Sequence, residues 1–329
     1  MRIGMFIAET SPPGSTVDDL LAQARWADEN GLHTGWVPHV PWSLDGLTAV
    51  ALAGQVTERI ELGTAVVPTW SHHPYAMAQH ALTAQAACNG RLLLGIGPSH
   101  RNVAEGWYGA SYEGVIHHVR EYVEVLEAVN RAQDDANHGR GLANMGGRVH
   151  HEGEQYPVES LLGVPGAEPV PIYLAALAPL MLKLAGERAE GTITWMCDER
   201  AIETHVVPRL TAAAEGVGRP VPRVIGGLPL AVCSDREQGL AAAEARYGGY
   251  RDIPTYARAL ARGESHSPAQ VAAVGTEEQV VERLRSYEAA GVTDLCAMTF
   301  PVGDDDAERG ESTERTKALL AHLAAQATP

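Results

Sequence analysis

The segment Ala27–Gly31, with the sequence ADENG, precedes the short strand-like run Leu32–Val37, and this pattern decides the fold. A helix ends in acidic and small residues, a glycine follows, and a strand begins. A glycine at the end of a helix adopts the left-handed conformation at little cost, so Gly31 is predicted to stop the helix. The pattern occurs twice more, at Gly186–Gly191 before Thr192–Met196 and at Tyr287–Gly291 before Val292–Met298. Helices that are each followed by a buried strand, several times along the chain, are typical of the βα units of a parallel sheet.

Eight strands with helices between them are predicted, and eight βα units favour a closed α/β barrel, a (β/α)₈ TIM barrel, over an open sheet. The predicted strands are Arg2–Ile7, Thr34–Val37, Ile60–Val66, Leu92–Ile96, Pro171–Leu174, Thr192–Trp195, Arg223–Val232 and Asp294–Phe300. The length of 329 residues and the hydrophobic fraction of 45% suit one such barrel with an insertion.

One stretch interrupts the alternation of predicted strands and helices. Gln133–Arg148 is rich in Gly, Asn and Asp and has no apolar period, which predicts a flexible excursion. His151–Val158 then predicts a small hairpin. We interpret residues 133–158, approximately, as an insertion after strand four of a single domain that spans residues 1–329. Two domains remain possible on length alone.

Charge and cysteine content restrict the partners and the compartment. The formal net charge of −16 disfavours nucleic acid and anionic membranes as partners. No run of 18 apolar residues exists, so no transmembrane helix is predicted. The four cysteines lie far apart without metal-type or redox-type spacing, which predicts reduced, buried thiols in a cytoplasmic protein. They are Cys88, Cys197, Cys233 and Cys296.

The predicted strand ends carry aromatic and histidine side chains and few carboxylates. In a barrel, function resides where strands end and βα loops begin. Such a rim suits a planar hydrophobic ring better than a hydrated metal ion. Each aromatic residue alone could be packing, Ser99 could cap a helix and His39 could be an exposed loop residue. Three tryptophans at three strand ends together favour a ligand wall. The rim residues are His39, Trp42, Trp70, Ser99, His100 and Trp195.

The histidine doublets raise a zinc alternative. Metal-dependent hydrolase barrels place His-x-His and carboxylates on strand ends, and no predicted strand here contains His-x-His. The second doublet sits within a helix of apolar period, where a surface position is favoured. We therefore predict no metal site at the doublets, which are His72-His73, His117-His118 and His150-His151.

Five motifs lie along the chain at the predicted strand ends and the helices that follow them. They are Arg59–Thr69 with His73, Pro74 and Gln79, then Gly90–His100, His118–Tyr122, Ala175–Gly186 and Glu190–Met196. These motifs resemble the luciferase-like flavin and deazaflavin oxidoreductases, and the branch that uses coenzyme F420 most of all. The resemblance runs from Met1 to about Leu323.

This resemblance implies a barrel with a flavin-like ring over the carboxyl ends of the strands. It implies a non-proline cis peptide near Thr64-Ala65 or Ala65-Val66. It also implies that the phosphate of the cofactor tail meets backbone N–H groups at Gly97–Ser99 and Ala176–Ala178, where helices begin. The implied cofactor-binding residues are Thr64, Ala65, Val66, Gly97, Pro98, Ser99, Ala175, Ala176, Leu177 and Ala178.

The sequence departs from several relatives, which carry Glu where His100 stands and an Asp-His pair where His39-Val40 stands. Together with a lysine content of only Lys183 and Lys317, this argues against a sugar-phosphate substrate. We expect His100 to be the proton donor, with His39 as the second choice, because imidazole serves either role near neutral pH. The expected substrate-pocket residues are Trp42, Trp70, Tyr108, Trp195 and Met196.

Three functions remain open. The first is hydride transfer between F420 and a small organic substrate. The second is an FMNH₂-dependent monooxygenase that uses O₂, since both cofactors share the ring site. The third is a non-catalytic flavin-binding protein. The resemblance also implies a homodimer.

Overall fold

The computed structural model describes residues 1–8, 14–142 and 145–327. Ala143 and Asn144 of the predicted excursion lie outside the described residues. The strands are β1 (Arg2–Phe6), β2 (Thr34–Val37), β3 (Glu61–Thr64), β4 (Val67–Pro68), β5 (Leu92–Gly97), β6 (Gly147–His151), β7 (Val158–Leu162), β8 (Ile172–Ala175), β9 (Gly191–Trp195), β10 (Arg223–Val232), β11 (Ala273–Gly275) and β12 (Asp294–Thr299).

Helices follow most of the strands. The α-helices are α1 (Val17–Glu29), α2 (Gly46–Gly54), α3 (Pro74–Ala87), α4 (Arg101–Trp107), α5 (Val115–Asn137), α6 (Pro179–Arg188), α7 (Glu199–Ala201), α8 (Val207–Gly216), α9 (Arg236–Tyr247), α10 (Pro254–Leu260), α11 (Pro268–Val271), α12 (Glu277–Ala289) and α13 (Asp306–Gln326). A π-helical turn occupies Ile202–Val206 and a 3₁₀ turn occupies Gly248–Asp252. Among the helices so described, none is long and apolar enough to cross a membrane.

The chain divides into two compact units. The first comprises residues 1–7, 26–36 and 176–329, and the second comprises residues 8–25 and 37–175. In the first unit β12 pairs in parallel with β1 on one side and β10 on the other. Cys296 of β12 is opposite Gly4 and Gly227 in these two ladders and is fully buried. Buried strands of this kind carry near-continuous apolar sequence, as β10 does.

The second unit contains the parallel strands β3, β4, β5 and β8, with β5 pairing to all three of the others. Its antiparallel hairpin pairs β6 with β7, from Gly147 opposite Leu162 to His151 opposite Val158. The hairpin follows α5, whose buried face includes Val119, Tyr122 and Leu126.

The eight predicted strands are all present, with three corrections to the local predictions. Predicted strand three ends at Thr64, and β4 resumes at Val67 after the cis peptide Ala65–Val66. The predicted hairpin at 151–158 is wrong in extent, because those residues mostly form its turn. The excursion predicted from Gln133 begins later, since α5 continues to Asn137.

Two of the three predicted glycine stops are confirmed. Gly31 and Gly291 have φ angles of +74° and +105°. Gly191 is the first residue of β9, and the preceding helix already ends at Arg188. The prediction of a helix stop at Gly191 is therefore wrong. The next residue, Ala189, is the C-cap residue of that helix and has an extended backbone conformation. The four cysteines are free and buried, as predicted.

Candidate active site

The end of β3 places backbone and small side chains where the ring site is predicted. Thr64 is fully buried; its hydroxyl donates to the Gly95 carbonyl at 2.7 Å and accepts from the Gly95 N–H at 3.0 Å. The peptide between Ala65 and Val66 is cis, which confirms the predicted position. The Ala65 N–H donates to the Val37 carbonyl at 2.8 Å, so β3 ends locked to its neighbours.

The end of β5 lies beside it. Gly97 lies where a side chain would clash, since an added Cβ atom would be 2.9 Å from the Ala175 Cβ and 3.3 Å from the Val66 Cγ2. Ser99 has a φ of +54°, and its carbonyl accepts the Tyr112 hydroxyl at 3.0 Å. The close approach explains why glycine occupies position 97.

His39 follows β2 and is held by the start of α2. Its Nδ1 accepts the Gly46 N–H at 3.2 Å and lies 3.4 Å from an Asp45 carboxylate oxygen. The hydrogen bond from Gly46 fits the neutral tautomer with its proton on Nε2, whereas the Asp45 carboxylate would favour a proton on Nδ1. Burial lowers the His39 pKa, Asp45 opposes that shift and His72 adds to it. The space beside Gly46 is bounded by His39 and by the Thr64 methyl group, each 3.4 Å from a Cβ placed there.

His100 is the N-cap residue of α4, and its side chain makes no capping hydrogen bond. It is half-buried, and burial lowers its pKa. Tyr108 ends the same helix, and burial raises the pKa of its phenol. Both imidazoles, His39 and His100, are therefore favoured in their neutral form at pH 7.

The prediction that the His117-His118 doublet is at the surface holds for His117, which is exposed, and is wrong for His118. His118 is 1% exposed. Its Nε2 lies 2.8 Å from the Thr69 hydroxyl and its Nδ1 3.0 Å from the Tyr156 hydroxyl. Its ring stacks on Trp70 with centroids 3.6 Å apart. His118 is three residues after Val115 and four before Tyr122, so it falls on the apolar face, a signal that sequence reasoning missed.

Trp42, another predicted pocket residue of the second unit, is more exposed to solvent than Trp70. Trp42 is 43% exposed and makes an edge contact with Trp107, which is 52% exposed. Trp107 was not predicted as a site residue. The two rings form an apolar surface at the loop after β2 and the end of α4.

The remaining predicted residues belong to the first unit. The Trp195 ring makes edge contacts with Phe6, Tyr247 and Tyr250 at centroid distances of 5.9, 6.2 and 5.9 Å. Met196, which follows, is fully buried with a φ of +55°. Sequence reasoning missed both tyrosines, because they lie about 50 residues further along the chain.

The start of α6 contains the other predicted phosphate contacts. Ala178 is its N-cap residue, and its carbonyl accepts the Leu182 N–H at 2.9 Å. The Leu177 carbonyl lies 2.8 Å from His205 Nε2. The role of Ala176, Leu177 and Ala178 toward a phosphate stays a prediction.

Among the described residues, His117, Glu121 and Glu154 place a ring nitrogen and two carboxylate oxygens within 4.8 Å of one another, as exposed acidic groups commonly do without a metal ion. Glu121 is 5% exposed, and its carboxylate accepts the N–H groups of Glu154, Gln155 and Tyr156 at 2.8 to 3.1 Å. Burial alone would raise the pKa of Glu121. The three backbone hydrogen bonds and the nearby His117 have the larger effect, so the pKa is lowered. The carboxylate thus holds the hairpin turn to α5.

Comparison with known proteins decides the family. The profile of the luciferase-like monooxygenases matches residues 1–294. The chain belongs to this family. The resemblance inferred from the strand-end motifs is thereby confirmed.

Relatives and solved structures agree with this assignment. An F420-dependent glucose-6-phosphate dehydrogenase of Amycolatopsis mediterranei is 28% identical over 243 residues, or 70% of this chain and 69% of that protein. For other curated relatives of the same description, the chain spans only 61% or 50% of their length.

Two solved structures show the fold. The coenzyme F420-dependent tetrahydromethanopterin reductase from Methanopyrus kandleri has a TM-score of 0.72 at 18% identity, covering 98% of this chain and 97% of that one. The FMN-bound oxygenating constituent of 3,6-diketocamphane monooxygenase from Pseudomonas putida has a TM-score of 0.74 at 18% identity, covering 98% of each chain. The fold is the luciferase-like (β/α)₈ barrel, as predicted, with the β6–β7 hairpin inserted after β5, its fourth parallel strand.

Proposed function

We propose that this chain is an oxidoreductase that transfers a hydride between the deazaflavin coenzyme F420 and a small organic substrate. The observation that carries the proposal is His39, an imidazole at a strand end whose pKa is lowered by burial and whose Nδ1 accepts the Gly46 N–H, so that Nε2 can carry the proton. The F420-dependent relatives and the F420-dependent structural neighbour support the choice of cofactor.

The residues at the strand ends of the second unit fit a flat ring. Ala65, Val66, Ser99 and Ala175 are small or β-branched and half-buried, and Gly97 has no side chain. Such a surface lets a planar ring approach backbone closely. When bound, the deazaflavin supplies or accepts the hydride.

His39 and His100 take different roles in this proposal. His39 donates a hydrogen bond from Nε2 to the reacting oxygen of the substrate, because its Nδ1 is occupied by the Gly46 N–H. This bond strengthens as charge develops on that oxygen. His100 moves the proton, which agrees with its half-buried position and with a lowered pKa that keeps it able to accept one at pH 7. Trp70 is the proposed wall of the substrate pocket in the same unit.

An anaerobic titration tests the cofactor. Reduced F420 should bind tightly and shift the tryptophan emission of the protein, whereas reduced FMN should bind weakly. Tight binding of reduced FMN alone, with oxygen consumption when reduced FMN is supplied, would establish the monooxygenase alternative instead.

Matched histidine variants test turnover. With F420 and a panel of small alcohols and carbonyl compounds, His39→Asn and His100→Ala should each lower the rate of deazaflavin absorbance change about 10²- to 10⁴-fold. His138→Asn, at the exposed end of α5, should leave the rate unchanged. If His100→Ala changes neither cofactor binding nor turnover, a non-catalytic binding protein becomes the better description.

We further propose that the protein acts as a homodimer in the cytoplasm and as a single domain over residues 1–329. Free, buried cysteines agree with a reducing compartment. The match of one family profile to residues 1–294 supports the single domain. Light scattering after gel filtration tests the dimer, and a monomer mass at micromolar concentration would contradict it.

A further inference from the structure

The Trp70 indole is fixed on one face and at its nitrogen. Its Nε1–H donates to the Pro98 carbonyl at 2.7 Å, which ties the ring to the end of β5. One face stacks on His118, with an interplanar angle of 8°. Tyr112 contacts it at a tilt, with centroids 6.2 Å apart. Trp70 itself is only half-buried, so part of the indole remains accessible beside the predicted ring site.

His118 connects that indole to the inserted hairpin. Thr69, the neighbour of Trp70, is hydrogen-bonded to one imidazole nitrogen, and Tyr156 of the hairpin turn is hydrogen-bonded to the other. Tyr75 of α3 also reaches β7, through its hydroxyl contacts with Ser160 and the Leu161 carbonyl at 3.0 Å each. The hairpin is thus attached to the loop after β4 by Tyr156 through His118, and to α3 by Tyr75.

The imidazole of His118 is neutral in this setting. Burial lowers its pKa to about 4, while Gln155 and Glu121 act in the opposite direction. The groups that face it are Glu121 and Tyr122 from α5, Gln155 and Tyr156 from the hairpin turn, and Thr69 and Trp70 from the loop after β4. A neutral imidazole has one donor and one acceptor nitrogen, which two hydroxyl groups can satisfy together.

We propose that His118 is a positioning residue that sets the orientation of the Trp70 indole and couples it to the hairpin formed by β6, β7 and their turn. The hairpin thereby determines the shape of the substrate wall without contacting substrate. The consequence for substrate choice rests on the proposed function, whereas the coupling itself is a property of the free chain.

Fluorine NMR of the full chain labelled with 5-fluorotryptophan tests the coupling without any ligand. The protein has six tryptophans, and Trp70→Phe identifies the Trp70 resonance by its loss. Tyr156→Phe, which removes one hydroxyl, should shift or broaden the Trp70 resonance and leave the other five in place. Glu159→Gln, on the exposed face of the same hairpin, is the matched control and should move none of them.

Acid titration gives the second readout. In the wild type the Trp70 resonance should titrate with a midpoint near pH 4, and in His118→Gln this titration should be lost. If His118→Gln unfolds the protein, so that all six resonances move to their positions in denatured protein, the Tyr156→Phe variant still tests whether the hairpin is coupled to Trp70. A Trp70 resonance that is unmoved in Tyr156→Phe overturns the proposal.

Reduced F420 is then added to the labelled wild type. A shift of the Trp70 resonance supports both the proposed function and the wall. If F420 has no effect but Tyr156→Phe still moves Trp70, the proposed function fails and the positioning role of His118 stands.

Discussion

Burial alone does not decide what a histidine does in this protein. His39 and His118 both have pKa values lowered by burial. His118 uses both ring nitrogens for hydrogen bonds within the protein and stacks one face on Trp70. His39 meets the Gly46 N–H and the Asp45 carboxylate through Nδ1. The difference in partners separates a positioning imidazole from one that can meet a substrate.

Asp45→Asn should lower the pKa of His39 further, because the Asp45 carboxylate raises that pKa against the effect of burial. Asparagine is as good an N-cap as aspartate, so α2 should keep its start. Histidine ring resonances followed against pH measure the shift. Asp134→Asn beside His138 is the control and should leave His39 unchanged. A raised His39 pKa in Asp45→Asn would contradict the assignment.

Gly97→Ala should destabilise the fold by about 1 to 3 kcal/mol and weaken F420 binding, because the new Cβ would lie 2.9 Å from the Ala175 Cβ. Gly106→Ala in α4 meets nothing within 4 Å and should change the free energy of unfolding by at most about 1 kcal/mol, in the stabilising direction. Urea unfolding of both variants measures the difference. Equal stabilities would show that position 97 has room.

At the scale of elements, the first unit joins the end of β9 to a distant loop through one carboxylate. Asp198 is 4% exposed and caps α7 by accepting the Ala201 N–H at 2.9 Å. It also accepts the N–H groups of Glu264 and Ser265, both at 2.7 Å. Three backbone donors on one buried carboxylate fix the loop after α10 next to the strand end.

Asp198→Asn should lower the free energy of unfolding by about 1 to 3 kcal/mol. The asparagine side chain has no negative charge, and its NH₂ group would face backbone N–H groups that need an acceptor. Amide exchange at Glu264 and Ser265 should accelerate. Asp235→Asn is the matched control, since Asp235 caps α9 from an exposed position and asparagine caps equally well. Unchanged exchange at Glu264 would remove this role from Asp198.

At the scale of the whole molecule, the net charge and the few lysines bear on which substrates the protein can bind. The chain carries a net charge of −16 and only two lysines. Both lysines pair with acidic neighbours, Lys183 with Glu187 at 3.6 Å and Lys317 with Glu314 at 3.5 Å. The net negative charge repels a phosphate dianion at long range, and both lysine ammonium groups already face carboxylates, which leaves arginine as the remaining cationic side chain for it.

Glucose 6-phosphate should therefore not be oxidised, although curated relatives act on it by their description. The measurement is the anaerobic absorbance of F420 with saturating glucose 6-phosphate, beside neutral alcohols of similar size. The A. mediterranei relative is the positive control. Turnover of the phosphate ester comparable to that control would overturn this expectation.

Local sequence was sufficient for most of the architecture. Strand and helix periods depend on neighbours a few positions away, so the eight strands and the helix stops at Gly31 and Gly291 could be predicted. The motif Arg59–Thr69 located the cis peptide to within one residue, through the family rather than through local physics.

Tertiary structure alone decided which side chains meet. Thr69 and His118 are 49 positions apart, and Tyr156 lies another 38 beyond His118. No local period reports such contacts, because they arise when separate elements pack. The same holds for Asp198 and Ser265, which are 67 positions apart. The sequence by itself predicted a luciferase-like barrel, and the comparisons confirm it. Packing determined that His118 is buried and that His39 Nδ1 meets the Gly46 N–H.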